Sequence, residues 1–156
     1  MTTRRQFLVL AGGTIAAGAA QAQLPPNIEA LRKAALADAV RNSTGGAEVR
    51  RGRVKLDVPP LIDNGNSVAL VVEVESPMTA ADHVKAIHVF TEKNPQPYII
   101  TARFGPRAGR ARITTRARIA DSGLIIAIAE MSDRSFWSDS VSVVVTLSAC
   151  LEDGLI

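Results

Sequence analysis

At 156 residues the chain has the length of one domain with room for a terminal extension. Hydrophobic residues at 47% and charged residues at 21% are the balance of a globular fold and exclude a disordered polymer. The formal net charge is +3, and 18 basic residues less Arg4 and Arg5, which belong to a leader, against 15 acidic residues leave +1. That balance argues against a nucleic-acid binder, despite an isoelectric point near 9.5. A single cysteine excludes an internal disulfide framework and a zinc site built on several thiolates.

The first 22 residues read as an address. Thr3-Arg4-Arg5-Gln6-Phe7-Leu8 resembles a twin-arginine export signal. The apolar run that follows is diluted by Gly12, Gly13 and Gly18 and is too short to span a bilayer, which takes about 20 apolar residues. Ala20-Gln21-Ala22 is a small-x-small cleavage pattern, so the mature chain is expected to begin at Gln23, in a bacterial periplasm and without a membrane anchor. A retained, anchored tail is the alternative.

Residues 23–46 are expected to hold a helix and linker. Pro25-Pro26 breaks any helix from the leader, and Asn27 can cap a new one. Ile28, Leu31, Ala35 and Ala39 recur near the helical period, widened by Leu36 and Val40, which predicts an amphipathic helix over 27–42. Ser43-Thr44-Gly45-Gly46 is a turn cluster that ends it.

From residue 47 to 147 the pattern is strands and turns. Strands are predicted at 53–58, 67–74, 84–92, 98–104, 110–119, 124–131 and 141–147, separated by Pro, Gly and Asn clusters. In 110–119 a period of two sets Ala111, Ile113, Ala117 and Ile119 against Arg110, Arg112, Thr114, Arg116 and Arg118, a row of arginines on one face. A solvated sheet face explains that row best; steering of an acidic partner or an anion is the alternative. Residues 124–131 are nearly all apolar, as in a strand covered on both faces. Val141, Val143, Val145 and Leu147 are expected to point inward, and Val144 outward. The sum is an all-β, immunoglobulin-like sandwich of about seven strands with an N-terminal helix.

Catalytic sets are absent from the motifs. His83 and His88 lie five apart, face opposite sides of a strand and read as surface or partly buried residues, with no shared metal. No G-x-S-x-G, Walker or GxGxxG pattern follows the leader, and Glu73 and Glu75 read as solvated charges. No enzyme is expected.

Cys150 stands apart. It lies just past the last predicted strand, in an arm at 148–156 flanked by Ser148-Ala149 and Gly154. Two readings stand: an exposed nucleophile that accepts a transferred group, or a small buried hydrophobe. Trp137 likewise reads either as an anchor of a partner interface or as core. Val144, apolar and outward, is a second candidate for such an interface.

A family resemblance joins these residues. Val74-Glu75-Ser76-Pro77-Met78-Thr79, Val84-Lys85-Ala86-Ile87-His88, Glu92-Lys93-Asn94-Pro95-Gln96-Pro97, Ala127-Ile128-Ala129-Glu130-Met131-Ser132-Asp133 and Ser135-Phe136-Trp137-Ser138 resemble SoxY, the sulfur-carrier subunit of bacterial thiosulfate oxidation. The resemblance implies an immunoglobulin-like sandwich paired with a smaller sandwich subunit, SoxZ. It also implies a cysteine on a C-terminal arm that holds the sulfur substrate covalently, here Cys150, with no cofactor on the carrier. In such systems a haem enzyme couples thiosulfate to the thiol, a manganese hydrolase releases sulfate, and a sulfur dehydrogenase oxidises the remaining sulfane. Tethering the substrate raises its effective concentration at each enzyme.

The arm departs from the family's Gly-Gly-Cys-Gly-Gly. Ser148-Ala149 precede the cysteine, Leu151-Glu152 follow it, and Asp153-Gly154-Leu155-Ile156 extend the chain. These side chains restrict the backbone more than glycine does, and the carboxylates of Glu152 and Asp153 raise a neighbouring thiol pKa and repel an anion. A divergent carrier, a scaffold without carriage and a disulfide-linked dimer through Cys150 are the readings that follow.

Overall fold

The structure, a computed structural model, describes residues 27–148. The leader at 1–22 and the arm from Ala149 onward, Cys150 included, lie outside the described residues.

Helix α1 (Ile28–Thr44) begins where Asn27 accepts, at its side-chain oxygen, the amide of Ala30, and ends where Gly45 takes a left-handed φ of 64° and donates to the Arg41 carbonyl. Its expected stripe is only half used. Leu36, Ala39 and Val40 pack on Phe90, Ile128 and Phe136, whereas Ile28, Leu31 and Ala35 face outward. The period is helical, but the docked face is rotated from the predicted one, towards Thr44, which is buried. Lys93 ties the first turn to the sheet through Glu29 at 3.7 Å.

Among the described residues nine strands follow: β1 (Val49–Arg51), β2 (Val54–Asp57), β3 (Leu61–Ile62), β4 (Val68–Val74), β5 (Val84–Thr91), β6 (Tyr98–Arg103), β7 (Ala111–Ala117), β8 (Gly123–Met131) and β9 (Phe136–Val145). Seven match the predicted set, and the two extra, β1 and β3, are two or three residues long. They form two facing sheets, an immunoglobulin-like sandwich. The larger sheet runs β1-β9-β8-β5-β6, with β3 also against β9; the smaller runs β2-β4-β7. β1 and β3 both pair parallel with β9, at Val49↔Phe136 and Leu61↔Val144.

Between the sheets lies an aliphatic core. Leu70 and Val72 from β4, Ile87 and Val89 from β5, and Ile125 and Ala127 from β8 are essentially sealed from solvent. Each large side chain so buried is worth roughly 1.5–3 kcal/mol. β4 alternates as its sequence does, with Val68, Leu70, Val72 and Val74 inward. β8 sits between β9 and β5 and is covered on its outer face by α1, which explains its continuous apolar run. On β7 the expected face holds: Arg112 and Arg116 are exposed and Ala111 and Ala117 are buried. Leu147 departs from expectation. It lies two residues beyond the end of β9, points out and is exposed.

Candidate functional site

The described chain leaves the sandwich at the end of β9, and that exit is tightly held. The Val145 amide donates to Ser122 Oγ at 2.9 Å. The Thr146 amide donates to the Ile62 carbonyl at 2.9 Å, and its hydroxyl donates to the Asp63 carbonyl at 3.1 Å. Finally the Gly65 amide donates to the Leu147 carbonyl at 2.9 Å, while the Gly65 carbonyl accepts from Ile119 at 2.8 Å. The loop holding Gly65 is itself shaped by Asn64, whose side-chain oxygen accepts the Asn66 amide at 2.9 Å. A strand edge and two turns thus clamp the chain up to Leu147, three residues before Cys150.

Three large apolar residues are exposed near this exit. Val144 is 56% exposed, its register partner Leu61 is 59% exposed, and Leu147 is 59% exposed. Leu61 follows Pro59-Pro60, and no periodic signal in so short a strand marks it as Val144's neighbour. Beside them is an open groove of about 260 Å³ that reaches the start of β4 and Arg116.

Trp137 sits at the other end of β9, about 23 Å from Val144 by strand rise. It is half-buried against the core, and its indole Nε1 donates to Ser135 Oγ at 3.2 Å. The guanidinium carbons of Arg50 and Arg53 lie 5.4 and 5.9 Å from its ring centroid, in cation–π range. Gly52, at φ 120°, brings the backbone to within 3.6 Å of the ring, measured from where a Cβ would stand. Arg53 is fixed by an ion pair to Asp82 at 3.2 Å and by donating Nε to the Glu75 carbonyl at 3.1 Å. Hydrogen bonds from Ser135 hold the nearby Asp133 carboxyl below the usual carboxylate range. Trp137 therefore fills a structural corner while keeping one edge towards solvent. The two sequence candidates for an interface, Trp137 and Val144, lie at opposite ends of one strand.

The histidines also stay apart. His83 precedes β5, with Nδ1 3.0 Å from the Thr79 carbonyl. His88 is deeper than expected, only 8% exposed, with Nδ1 2.7 Å from Thr101 Oγ1 and with Nε2 buried and unpartnered among the described residues. Among the described residues there is no group of three or more His, Cys, Asp or Glu placed to hold a metal. No described helix is long and apolar enough to cross a membrane.

A two-sheet sandwich whose last described strand ends in a clamped exit, three residues in sequence before the chain's one cysteine, defines the class: a β-sandwich protein with a lone thiol in the sequence past that strand. The family model described as "Sulfur oxidation protein SoxY" matches residues 40–150, and the chain belongs to that family. The match ends on Cys150. Among solved structures, the sulfur carrier protein SoxY from Chlorobium limicola f thiosulfatophilum superposes with a TM-score of 0.62 at 20% identity, covering 74% of this chain and 99% of that one. A superoxide reductase (neelaredoxin) from Ignicoccus hospitalis gives 0.54 at 18%, covering 60% and 80%. The superoxide reductase from Nanoarchaeum equitans gives 0.52 at 13%, covering 62% and 100%. At these identities the likeness is one of fold. No curated protein matches the sequence.

Proposed function

We propose that this chain is a periplasmic covalent sulfur carrier, not an enzyme, with Cys150 as the point of attachment. The observation that carries this reading is the family match over residues 40–150, which closes on the chain's one cysteine. The clamp supports it, because it fixes the described chain as far as Leu147, three residues before the thiol in sequence.

The thiol and thiosulfate form a Cys150 S–S–SO₃⁻ adduct; one proton leaves to solvent and two electrons pass to a haem-containing partner. A manganese hydrolase then cleaves the S–SO₃⁻ bond with water, leaving a persulfide and releasing sulfate, and a sulfur dehydrogenase oxidises the remaining sulfane. The carrier supplies only the sulfur atom and its presentation. A smaller sandwich subunit of SoxZ type is the structural partner, and the exposed group of Val144, Leu61 and Leu147 favours Val144 over the half-buried Trp137 as its contact. Export follows from Arg4-Arg5 and cleavage after Ala22.

One observation favours a second reading. The Ser-Ala-Cys-Leu-Glu sequence around the thiol replaces the family's glycines, which suits a scaffold subunit without carriage or a carrier of other sulfur compounds. Intact mass of protein from sulfur-oxidising cells separates the readings. Carriage is expected to give reductant-sensitive additions to a chain beginning at Gln23, all lost in Cys150→Ser. Additions that persist in that variant, or an unmodified chain in actively oxidising cells, overturn it.

A further inference from the structure

Charge is segregated along this chain. Between Glu92 and Asp121 there are seven basic residues, Lys93 and six arginines, and no acidic one, so the net +3 divides into +7 here and −4 elsewhere. The fold gathers that stretch at one side of the sandwich. It comprises β6, an edge of the larger sheet, β7, an edge of the smaller, and the 104–110 loop between them. Asn94, in the turn before β6, fastens this side together: it donates to the Arg118 carbonyl at 2.8 Å and accepts the Ala120 amide at 2.7 Å. All six arginines are exposed. Arg110 and Arg112 share one carboxylate, Glu73, at 4.0 and 3.8 Å. Arg116 meets only Ser67, through its carbonyl at 3.5 Å and its hydroxyl at 3.4 Å, and no carboxylate among the described residues.

Beneath these charges β7 has an open edge. The Glu75 amide donates to the Arg53 carbonyl, so Glu73 and Val71, in phase with it on β4, face β2. Leu70, Val72 and Val74 therefore face β7, opposite Thr115, Ile113 and Ala111. The backbone amides and carbonyls of the alternate residues, Arg112, Thr114 and Arg116, point away from the sheet, where no described strand pairs with them. A 3.5 Å contact from the Thr115 hydroxyl to the Arg116 carbonyl is the one hydrogen bond to these groups among the described residues. The core is also unsealed on this side: Ile113 on β7, with Ile99, Ile100 and Phe104 on and after β6, packs against it yet is only partly buried.

We propose that this edge takes an extended acidic segment of a partner protein, added beside β7 as a further strand of the smaller sheet. Every second residue of that segment bonds through its backbone to Arg112, Thr114 and Arg116. Residues opposite each other in a sheet share a face, so these same residues carry the carboxylates, against the guanidinium groups of Arg112 and Arg116. The residues between them point inward and are aliphatic, beside Ile113. The segment is thus recognised by alternation of acidic and aliphatic side chains. A second copy of this chain does not fit, because β7 paired antiparallel with β7 about Thr114 sets Arg112 against Arg116. The edge also lies away from the exposed Leu61–Val144 pair, since β8 and β5 separate β9 from β6 in the larger sheet. A subunit docked at Val144 leaves it open.

The test uses the full chain and a capped peptide of about nine residues alternating glutamate and valine, and its outcome is independent of whether sulfur is carried. Saturating peptide is expected to slow amide exchange at Arg112, Thr114 and Arg116 about fivefold or more, with Ala111, Ile113 and Thr115, already bonded to β4, little changed. N-methylation of the glutamates, whose amides face β7, is expected to weaken binding about tenfold, and N-methylation of the valines to spare it. A lysine–valine peptide is expected to give no protection. Arg112→Glu with Arg116→Glu, both on the solvent face, is expected to reverse the preference between the two peptides. No protection of β7 at about 1 mM peptide, equal protection by the glutamate and lysine peptides, or equal binding of the two methylated forms overturns the proposal. So does tighter association with phosphatidylglycerol vesicles than with the peptide, which assigns the arginines to a lipid surface.

Discussion

Burial leaves His88 with one ring nitrogen satisfied by Thr101 and the other without a partner among the described residues. Desolvation pushes its pKa below the ordinary histidine value, the Glu130 carboxylate opposes that, and the Arg103 guanidinium adds to it. The folded chain therefore accepts this proton at lower pH than the unfolded chain does. Its contribution to stability is complete above the unfolded pKa of about 6.5 and is lost as pH falls from there through the folded value. Urea midpoints of wild type are expected to fall between pH 7 and 5 more steeply than those of His88→Gln; equal slopes would remove this assignment. The depth of His88 was not legible in sequence. A period of two says which face a residue takes, not whether that face is covered, and here Phe90 stacks beside it at 6.4 Å under the edge of α1. Cys150, by contrast, stood out by counting alone, because a lone cysteine has no partner within its own chain.

Among the elements, α1 is the most lightly held. Only Leu36, Ala39 and Val40 pack into the cluster of Phe90, Ile128 and Phe136, and its surface ion pairs contribute little. Leu36→Asp is expected to speed amide exchange throughout residues 28–44 while leaving β4, β5 and β8 protected. Loss of protection across both sheets would show that the helix is integral to the core. The helix itself was readable from Asn27, the apolar period and the Gly45 stop. Its docked face was not, since Ile28, Leu31 and Ala35 fit the period equally well and the sheet's shape chooses between them. The long strands were readable because alternation and turn residues coincide, as in β4 and β7. β1 and β3 were invisible for the opposite reason: Val49-Arg50-Arg51 and Leu61-Ile62 carry no pattern, and only parallel pairing with β9 makes them strands.

At the scale of the molecule, β9 links two different ends. One carries Trp137 between two arginines, buttressed by Gly52; the other carries an apolar group and the clamped exit. Docking of a partner sandwich at the exit end places that partner beside the thiol segment. Val144→Asp changes an exposed side chain, so the monomer is expected to keep its thermal midpoint within a degree or two while affinity for a SoxZ-type subunit drops about tenfold or more. Unchanged affinity would move the interface elsewhere, with Trp137→Ala the next variant to measure. The sandwich and its exit point followed from the sequence. The groove and the exposed Leu61–Val144 pair did not, because both depend on where β2 leaves β4 and where β3 joins β9.

The proposed role rests on one sulfur atom, that of Cys150. Residues 135–156 hold no lysine or arginine, so trypsin leaves Cys150 in one peptide that begins at Ser135. The mass of that peptide, from protein taken before, during and after thiosulfate feeding, is the most direct measurement. Sulfonated and sulfane additions fragmenting to Cys150, rising on feeding and disappearing as thiosulfate runs out, are the expected result. A peptide that keeps its unmodified mass throughout feeding would contradict the role.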